Sequence, residues 1–286
     1  MPIAHDAAAG ADSGIAIKNT LSADDFRRMM NQMKGGAPTK STQAATPASP
    51  IPAPTVPAEQ NTDGAPLAAN SKFTFENFVY GPENSHAYRS ALKFAALADE
   101  RGTCTSLFIY GKSGLGKTHL MHAIGHYAHE LYPDMRILYI TSEDFTNQLV
   151  SAMQTNQNQQ FRERFRNVDI LMVDDIQFIA GKHGTEEEFF HTFNHLREAG
   201  KQIVMTSDKP PKEIQKLEER LCSRFEGGLV ADIQRPDFET RLAILRKKAE
   251  FEHLNISDDI LALIAEKIDT NVRELEGSVT RLTAYS

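Results

Sequence analysis

The stretch GKSGLGKT, residues 111–118, spaces two glycines, a lysine and a threonine as G-x-x-x-x-G-K-[ST], the pattern of a phosphate-binding (Walker A) loop. Backbone N–H groups of Gly114, Leu115, Gly116, Lys117 and Thr118 would wrap a β-phosphate at the positive end of the following helix, where small residues allow close approach. Lys117 would reach the β- and γ-phosphates, and the Thr118 hydroxyl would ligate Mg²⁺. A second stretch, DILMVDDIQF at 169–178, runs four apolar residues straight into two carboxylates, Asp174 and Asp175. Such a run reads as a strand buried on both faces, and burying a lone charge there costs several kcal/mol or more. In a parallel sheet, ligands sit beyond the carboxyl ends of the strands, which would bring both acids beside the phosphate loop. Asp174 is then placed to hold Mg²⁺ through its waters, and Asp175 to orient or polarise the water that attacks the γ-phosphate. Taken alone, the acid pair fits a solvated turn as well.

Three further stretches carry polar residues at informative places. IVMTSD, 203–208, is another apolar strand with a polar end, and a neighbouring strand would set Thr206 to Asp208 near the γ-phosphate as a sensor; a simple cap is the other reading. ERLCSRF, 219–225, puts Arg220 and Arg224 on one helix face at i and i+4. They fit either surface ion pairs or a finger reaching into a neighbour's ATP. NVRELEG, 271–277, places Arg273 early in a helix, as an ordinary helix charge or folded back onto the γ-phosphate.

The elements that must position these groups alternate. Helices are expected at 82–100, 117–132, 143–165 (one or two) and 186–199, and strands at 106–110, 136–140, 170–173, 202–205 and 229–233. The alternation predicts an α/β fold, a doubly wound, mainly parallel sheet with helices on both faces. After Pro236 the strands stop, and helical stretches at 238–252, 257–268 and 272–285, two of them opened by the cap candidates Asp237 and Ser257, predict a small all-helical domain. The expected organisation is 1–70 largely disordered, 71–234 nucleotide-binding and 235–286 a helical lid, expected to be truncated. Residues 41–70 are mostly Ala, Pro, Thr, Ser and Gln with no aromatic residue, a composition that reads as linker. In the first forty residues only 22–33 has an amphipathic pattern, a helix capped by Ser22.

At 286 residues, 41% hydrophobic and 24% charged, the composition is that of a globular chain with ample core. The two cysteines, Cys104 and Cys222, make no CxxC pair, which argues against a disulfide framework or a cysteine zinc site and fits a reducing, cytosolic compartment. No apolar run approaches a membrane span, and no secretory signal opens the chain. A net charge of -7 argues against wholesale wrapping of nucleic acid but leaves room for a local basic groove.

From about residue 73 to 286 the wording FTFENFVYG, GLGKTHL, VDDIQFIAGK, EEFFHTFNHL, TSDKPPKEI, RLCSRF and NVRELEGSVTRL closely resembles the AAA+ ATPase region of the bacterial chromosomal replication initiators, the DnaA family. The resemblance implies an AAA+ P-loop NTPase that uses ATP/ADP and Mg²⁺ as a switch, forms a head-to-tail helical oligomer, melts origin DNA and recruits the replicative helicase, with acidic phospholipids as a further partner. Carried over, Lys117 and Thr118 look like the phosphate-loop pair, with Gly111, Gly114, Leu115, Gly116 and His119 around them, and Asp174 and Asp175 like the magnesium and water residues. Asp208 resembles the first sensor, Arg224 the finger acting on the next subunit and Arg273 the second sensor. Residues 73–80, with Phe78 and Val79, resemble the segment lining the adenine pocket. Many related ATPases carry Glu where this chain has Asp175, one methylene shorter, which implies weak basal hydrolysis and a long-lived ATP state.

The stretch 143–165 resembles the initiator-specific helical wedge. Its FRERFR contributes Arg162, Arg164 and Arg166 beside Phe161 and Phe165, a mixture suited to a single-stranded backbone, although phenylalanines at i and i+4 also suit a core. Val150 and Lys182 are the expected single-strand contacts, with the phenylalanines left to packing. Gly184 stands where the family usually has a basic residue, with Lys182 and His183 as partial substitutes. No helix-turn-helix domain for double-stranded origin boxes follows Ser286, and residues 1–40 lack a clear match to the family's partner-docking domain. The expectation is therefore a motor and linker whose sequence-reading module is missing or lies outside the chain. A regulator that stimulates the initiator's ATP hydrolysis and a helicase loader are the alternatives.

Overall fold

The computed structural model describes residues 72–98 and 105–285, all within one unit running from Lys40 to Ser286. The expected helix at 22–33, the linker at 41–70 and Cys104 lie outside the described residues.

The five strands are β1 (Ser106–Tyr110), β2 (Ile137–Thr141), β3 (Ile170–Asp174), β4 (Gln202–Ser207) and β5 (Leu229–Asp232). They form a parallel sheet in the order β2-β3-β4-β1-β5. Helices α1 (Ser85–Ala96), α2 (Lys117–Leu131), α3 (Ser142–Gln154), α4 (Asn158–Arg166), α5 (His183–Glu198) and α6 (Glu219–Glu226) alternate with the strands. β3 and β4 are buried along their whole length, as their unbroken apolar runs require between two helical layers. Polar residues therefore appear only where these strands end. The order puts β1 between β4 and β5, so the chain leaves β1 at a switch point of the sheet, where a crevice opens.

One apolar cluster fills the space between the sheet and α3 to α6, and Phe145, Phe161, Phe165, Phe189, Phe193 and Phe225 all belong to it. Phe161 and Phe165 thus pack inward, as periodicity suggested, and their ring centroids lie 5.2 and 4.9 Å from that of Phe145.

Helices α7 (Phe238–Phe251), α8 (Asp258–Lys267) and α9 (Val272–Tyr285) follow the sheet and share a separate small core around Leu245, Leu261, Leu275 and Val279. Asp237 caps α7 by accepting the Thr240 N–H at 2.7 Å. Ser257, the other cap candidate, does stand at the N-cap of α8 with extended backbone, but its side chain makes no capping bond; Asp258 and Asp259 supply first-turn negative charge. Other boundaries shift too. The helix expected from 82 begins with a 3-10 turn at Pro82–Asn84, and α5 starts at His183, three residues early, which leaves Lys182 at its N-cap.

No helix among the described residues is long and apolar enough to cross a membrane.

Candidate nucleotide site

The loop between β1 and α2 bends through positive φ at Gly114 and Gly116, +78° and +101°, a region that glycine enters without steric cost. Gly111 is fixed by proximity: a Cβ there would stand 2.3 Å from the Ile233 carbonyl oxygen. The buried Lys117 points back into the loop. Its Nζ donates to the carbonyls of Gly111 (2.8 Å) and Lys112 (3.2 Å) and to Asp208 Oδ1 (2.6 Å). All three donors of the ammonium are thereby occupied by the loop and by the residue that follows β4.

Asp174, the last residue of β3, is buried and collects three hydroxyls. Thr118 Oγ1 donates to its Oδ2 at 2.8 Å and Tyr139 OH at 3.1 Å, and Thr206 Oγ1 donates to Oδ1. Strand register explains the convergence: Thr206 follows Met205, the partner of Val173, while Tyr139 lies on β2 beside β3. This answers the burial problem, since the carboxylate leaves water but gains hydroxyl donors on both oxygens. Burial first, then the charge of Asp174, drives the Tyr139 phenol well above its ordinary range, so Tyr139 stays a donor at neutral pH.

Asp175 adopts left-handed backbone, φ +54°, a conformation that Asp and Asn tolerate better than most residues. Its N–H donates to Thr206 Oγ1 at 2.9 Å, its carbonyl accepts from Ser142 Oγ at 2.6 Å, and Gln177 donates to its Oδ1 at 3.2 Å. Burial first, then the charge of Asp174, raises its carboxyl above the usual carboxylate range. A folded value above the unfolded one means that the stability gained from the native proton is lost as pH rises through the folded value. At neutral pH the ionised Asp175 therefore costs stability. Asp175→Asn, which keeps both shape and backbone preference, is expected to raise the melting temperature by about 1–3 °C at neutral pH, a figure reduced for the group's partial exposure. The gain should shrink in scans run towards pH 4.

The lid closes onto the loop. The N–H groups of Val272 and Arg273 both donate to the Gly114 carbonyl, at 3.0 and 3.2 Å, while Asn271 caps α9 through the Glu274 N–H at 2.9 Å. A Cβ on Gly114 would stand 2.9 Å from Asn271 Oδ1 and 3.3 Å from Arg273 Cβ, so only glycine leaves room for this contact. Arg273 itself is exposed at the rim.

Beside the loop a cleft is lined by Phe73, Asn77, Phe78 and Val79, by Leu115, Gly116 and His119, and by Ile244, Lys247, Val272 and Glu276 of the lid. His119 stacks on Phe73 at 4.9 Å, meets Phe78 edge-on at 5.2 Å and donates from Nε2 to the Thr74 carbonyl at 2.9 Å. Its burial drops the imidazole to about 4, which keeps it neutral at physiological pH. Lys247 reaches from α7 to the Glu76 carbonyl and ties the lid to the 73–80 segment.

The remaining expected residues stand elsewhere. Arg224, in the last turn of α6, has its guanidinium 5.9 Å from the Phe190 ring centroid, and that of Arg220 lies over the same ring at 4.5 Å, so the pair does share one face. Val150, 47% exposed, projects from α3 with the exposed Met153, and Lys182 is exposed at the start of α5. Of the FRERFR arginines, Arg162 and Arg166 both bind the buried Glu188, at 3.0 and 2.7 Å, an ion pair that sequence reading missed because Glu188 lies on another helix. Tyr139, the Gly114 clasp and the lid lining of the cleft were missed as well; each spans a long sequence separation, and only the polar ending of β2 hinted at one of them.

The model of the bacterial DnaA ATPase domain matches residues 69–232, more than half of the chain. The chain belongs to this DnaA family. The chromosomal replication initiator protein DnaA of Deinococcus radiodurans is 51% identical over 254 residues, 88% of this chain and 52% of that protein. The chain thus spans about half the length of the curated relatives it matches. Domain III of the Thermotoga maritima replication initiation protein DnaA superposes with a TM-score of 0.72 at 48% identity, covering 76% of this chain and 89% of that one. A replication initiator DnaA bound to AMPPCP and single-stranded DNA superposes at 0.68 with 35% identity, covering 75% of this chain and 65% of that one. An AAA+ P-loop fold with a helical lid is therefore the architecture of this DnaA-family chain.

Proposed function

We propose that this chain is the ATP-dependent motor of a chromosomal replication initiator, which binds ATP with Mg²⁺, assembles head to tail on origin DNA, holds one separated strand and supports helicase loading. The observation that carries the reading is the junction of Lys117, Thr118, Asp174 and Asp208 beside a lid-closed cleft, in a chain of the DnaA family. The relative solved with AMPPCP and single-stranded DNA supports it, and relatives named as initiators favour it over a regulator or a loader.

In this reading the aromatic 73–80 segment, Leu115 and the neutral His119 take the base, and the 111–118 backbone with Lys117 takes the phosphates. Thr118 and Asp174 would hold Mg²⁺, which supplies charge neutralisation on the phosphates; an all-oxygen pair already 2.8 Å apart suits that hard ion. Asp175 orients water, Asp208 reads the γ-phosphate through Lys117, and Arg273 approaches it from the lid. Slow turnover follows from the short Asp175 side chain: a partner-free single-turnover rate of several per second would contradict it. Arg224 is presented to the next subunit, a heterologous contact that propagates as an open helix instead of closing as a dimer. Val150 and Lys182 contact the strand. Double-stranded origin DNA, helicase and acidic phospholipids are partners of the whole initiator, working in the cytoplasm.

Sedimentation velocity of the purified chain tests this. ATP, and not ADP, is expected to drive assembly, and Arg224→Ala is expected to abolish it with ATP affinity kept within about twofold. A chain that stays monomeric with ATP, or assembly that survives Arg224→Ala, rejects the finger.

A further inference from the structure

His183, Glu186 and Glu218 form a cluster outside the nucleotide site. One ligating atom from each lies within 4.8 Å of the others. His183 opens α5, Glu186 sits in its first turn, and Glu218 is the N-cap residue of α6. Glu186 has no exposed surface; its Oε1 accepts the Gly181 N–H at 2.8 Å, and its Oε2 is buried with no hydrogen-bond partner among the described residues. Glu218 Oε2 accepts from Arg220 Nε at 2.5 Å, and its Oε1 lies 3.6 Å from His183 Nδ1. Each carboxylate thus has one oxygen fixed by a protein donor, while the other faces the cluster, unpartnered on Glu186 and towards His183 on Glu218, the way outer hydrogen bonds orient metal-ligating carboxylates.

We propose that His183, Glu186 and Glu218 bind a divalent cation of the zinc class. An unpaired oxygen on a fully buried carboxylate is costly, and a bound cation offsets that cost directly. One imidazole nitrogen with two carboxylate oxygens suits Zn²⁺, whereas Mg²⁺ favours oxygen alone and keeps its waters. With bonds of about 2.0–2.2 Å, tetrahedral ligands stand roughly 3.4 Å apart, close to the His183–Glu218 separation, and the exposed His183 ring is free to close the remainder. The ion would staple the start of α5, next to Lys182, to the start of α6, the helix that carries Arg224. The two cysteines gave no hint of such a site because its ligands are a histidine and two glutamates that come from separate helices.

Zinc chloride titrated into the nucleotide-free, Mg²⁺-free chain against a fluorescent chelator tests the proposal, with magnesium chloride as the comparison. The expected result is one zinc per chain, bound at least about tenfold more weakly by Glu186→Gln and by His183→Ala, with ATP affinity unchanged in both. Zinc should raise the melting temperature of the wild type and leave that of Glu186→Gln unmoved. Equal zinc affinity in the wild type and both variants, or no binding at sub-millimolar zinc, would overturn it. So would a wild type indifferent to zinc whose Glu186→Gln variant melts higher, because the two glutamates would then simply share a proton.

Discussion

Lys117→Ala is expected to lower ATP affinity by about 100-fold or more while the chain stays folded. Charge-assisted hydrogen bonds contribute roughly 1.5–3 kcal/mol each, and in the proposed reading Lys117 serves two phosphates, so about 3–5 kcal/mol of binding would be lost. The nucleotide does not meet an idle ammonium: an incoming phosphate must take over donors now spent on Gly111, Lys112 and Asp208. In the proposed reading that exchange would make the loop respond to nucleotide, because Asp208 would be freed from Lys117 as the phosphate arrives. The fold tolerates the substitution because the Asp208 side chain is 40% exposed and water can solvate it. A fluorescent-nucleotide titration checks the affinity and a thermal melt the fold. An affinity within about fivefold of the wild type would mean that Lys117 is not the phosphate ligand.

Phe225→Ala is expected to destabilise the chain by about 3–5 kcal/mol, a large part of the roughly 5–15 kcal/mol that holds a typical domain together. The ring is fully buried where α6 meets the sheet and α5, with centroids 5.5, 6.1 and 6.0 Å from Phe108, Phe189 and Phe193. Truncation leaves a cavity in a dense aromatic cluster that cannot collapse without moving β1. Phe225→Leu, which fills most of the volume, should cost about 1–1.5 kcal/mol. Denaturant titration separates the two. If the adjacent Arg224 carries ATP-driven assembly as proposed, the alanine variant should also lose that assembly at temperatures where it still binds nucleotide, the order expected if α6 loosens before the 111–118 loop. Equal stability of the alanine and leucine variants would show that α6 is not anchored through this ring.

Sequence alone determined the phosphate loop, the acid pair at a buried strand's end, the alternation that builds a parallel sheet, the helical lid and the inward packing of Phe161 and Phe165. These are carried by neighbouring residues: glycine spacing, apolar runs of strand length and the 3.6-residue period are all local. Tertiary structure alone decided what the polar groups touch. It brought Tyr139 and Thr206 onto Asp174, tied Arg162 and Arg166 to Glu188, and set Val272 and Arg273 on the Gly114 carbonyl. It also left Ser257 without a capping bond and gathered His183, Glu186 and Glu218 into one cluster. Each of these outcomes depends on strand order, helix docking or lid closure across a long stretch of chain. A hydrogen bond depends on distances of a few tenths of an ångström, which periodicity in the sequence does not encode.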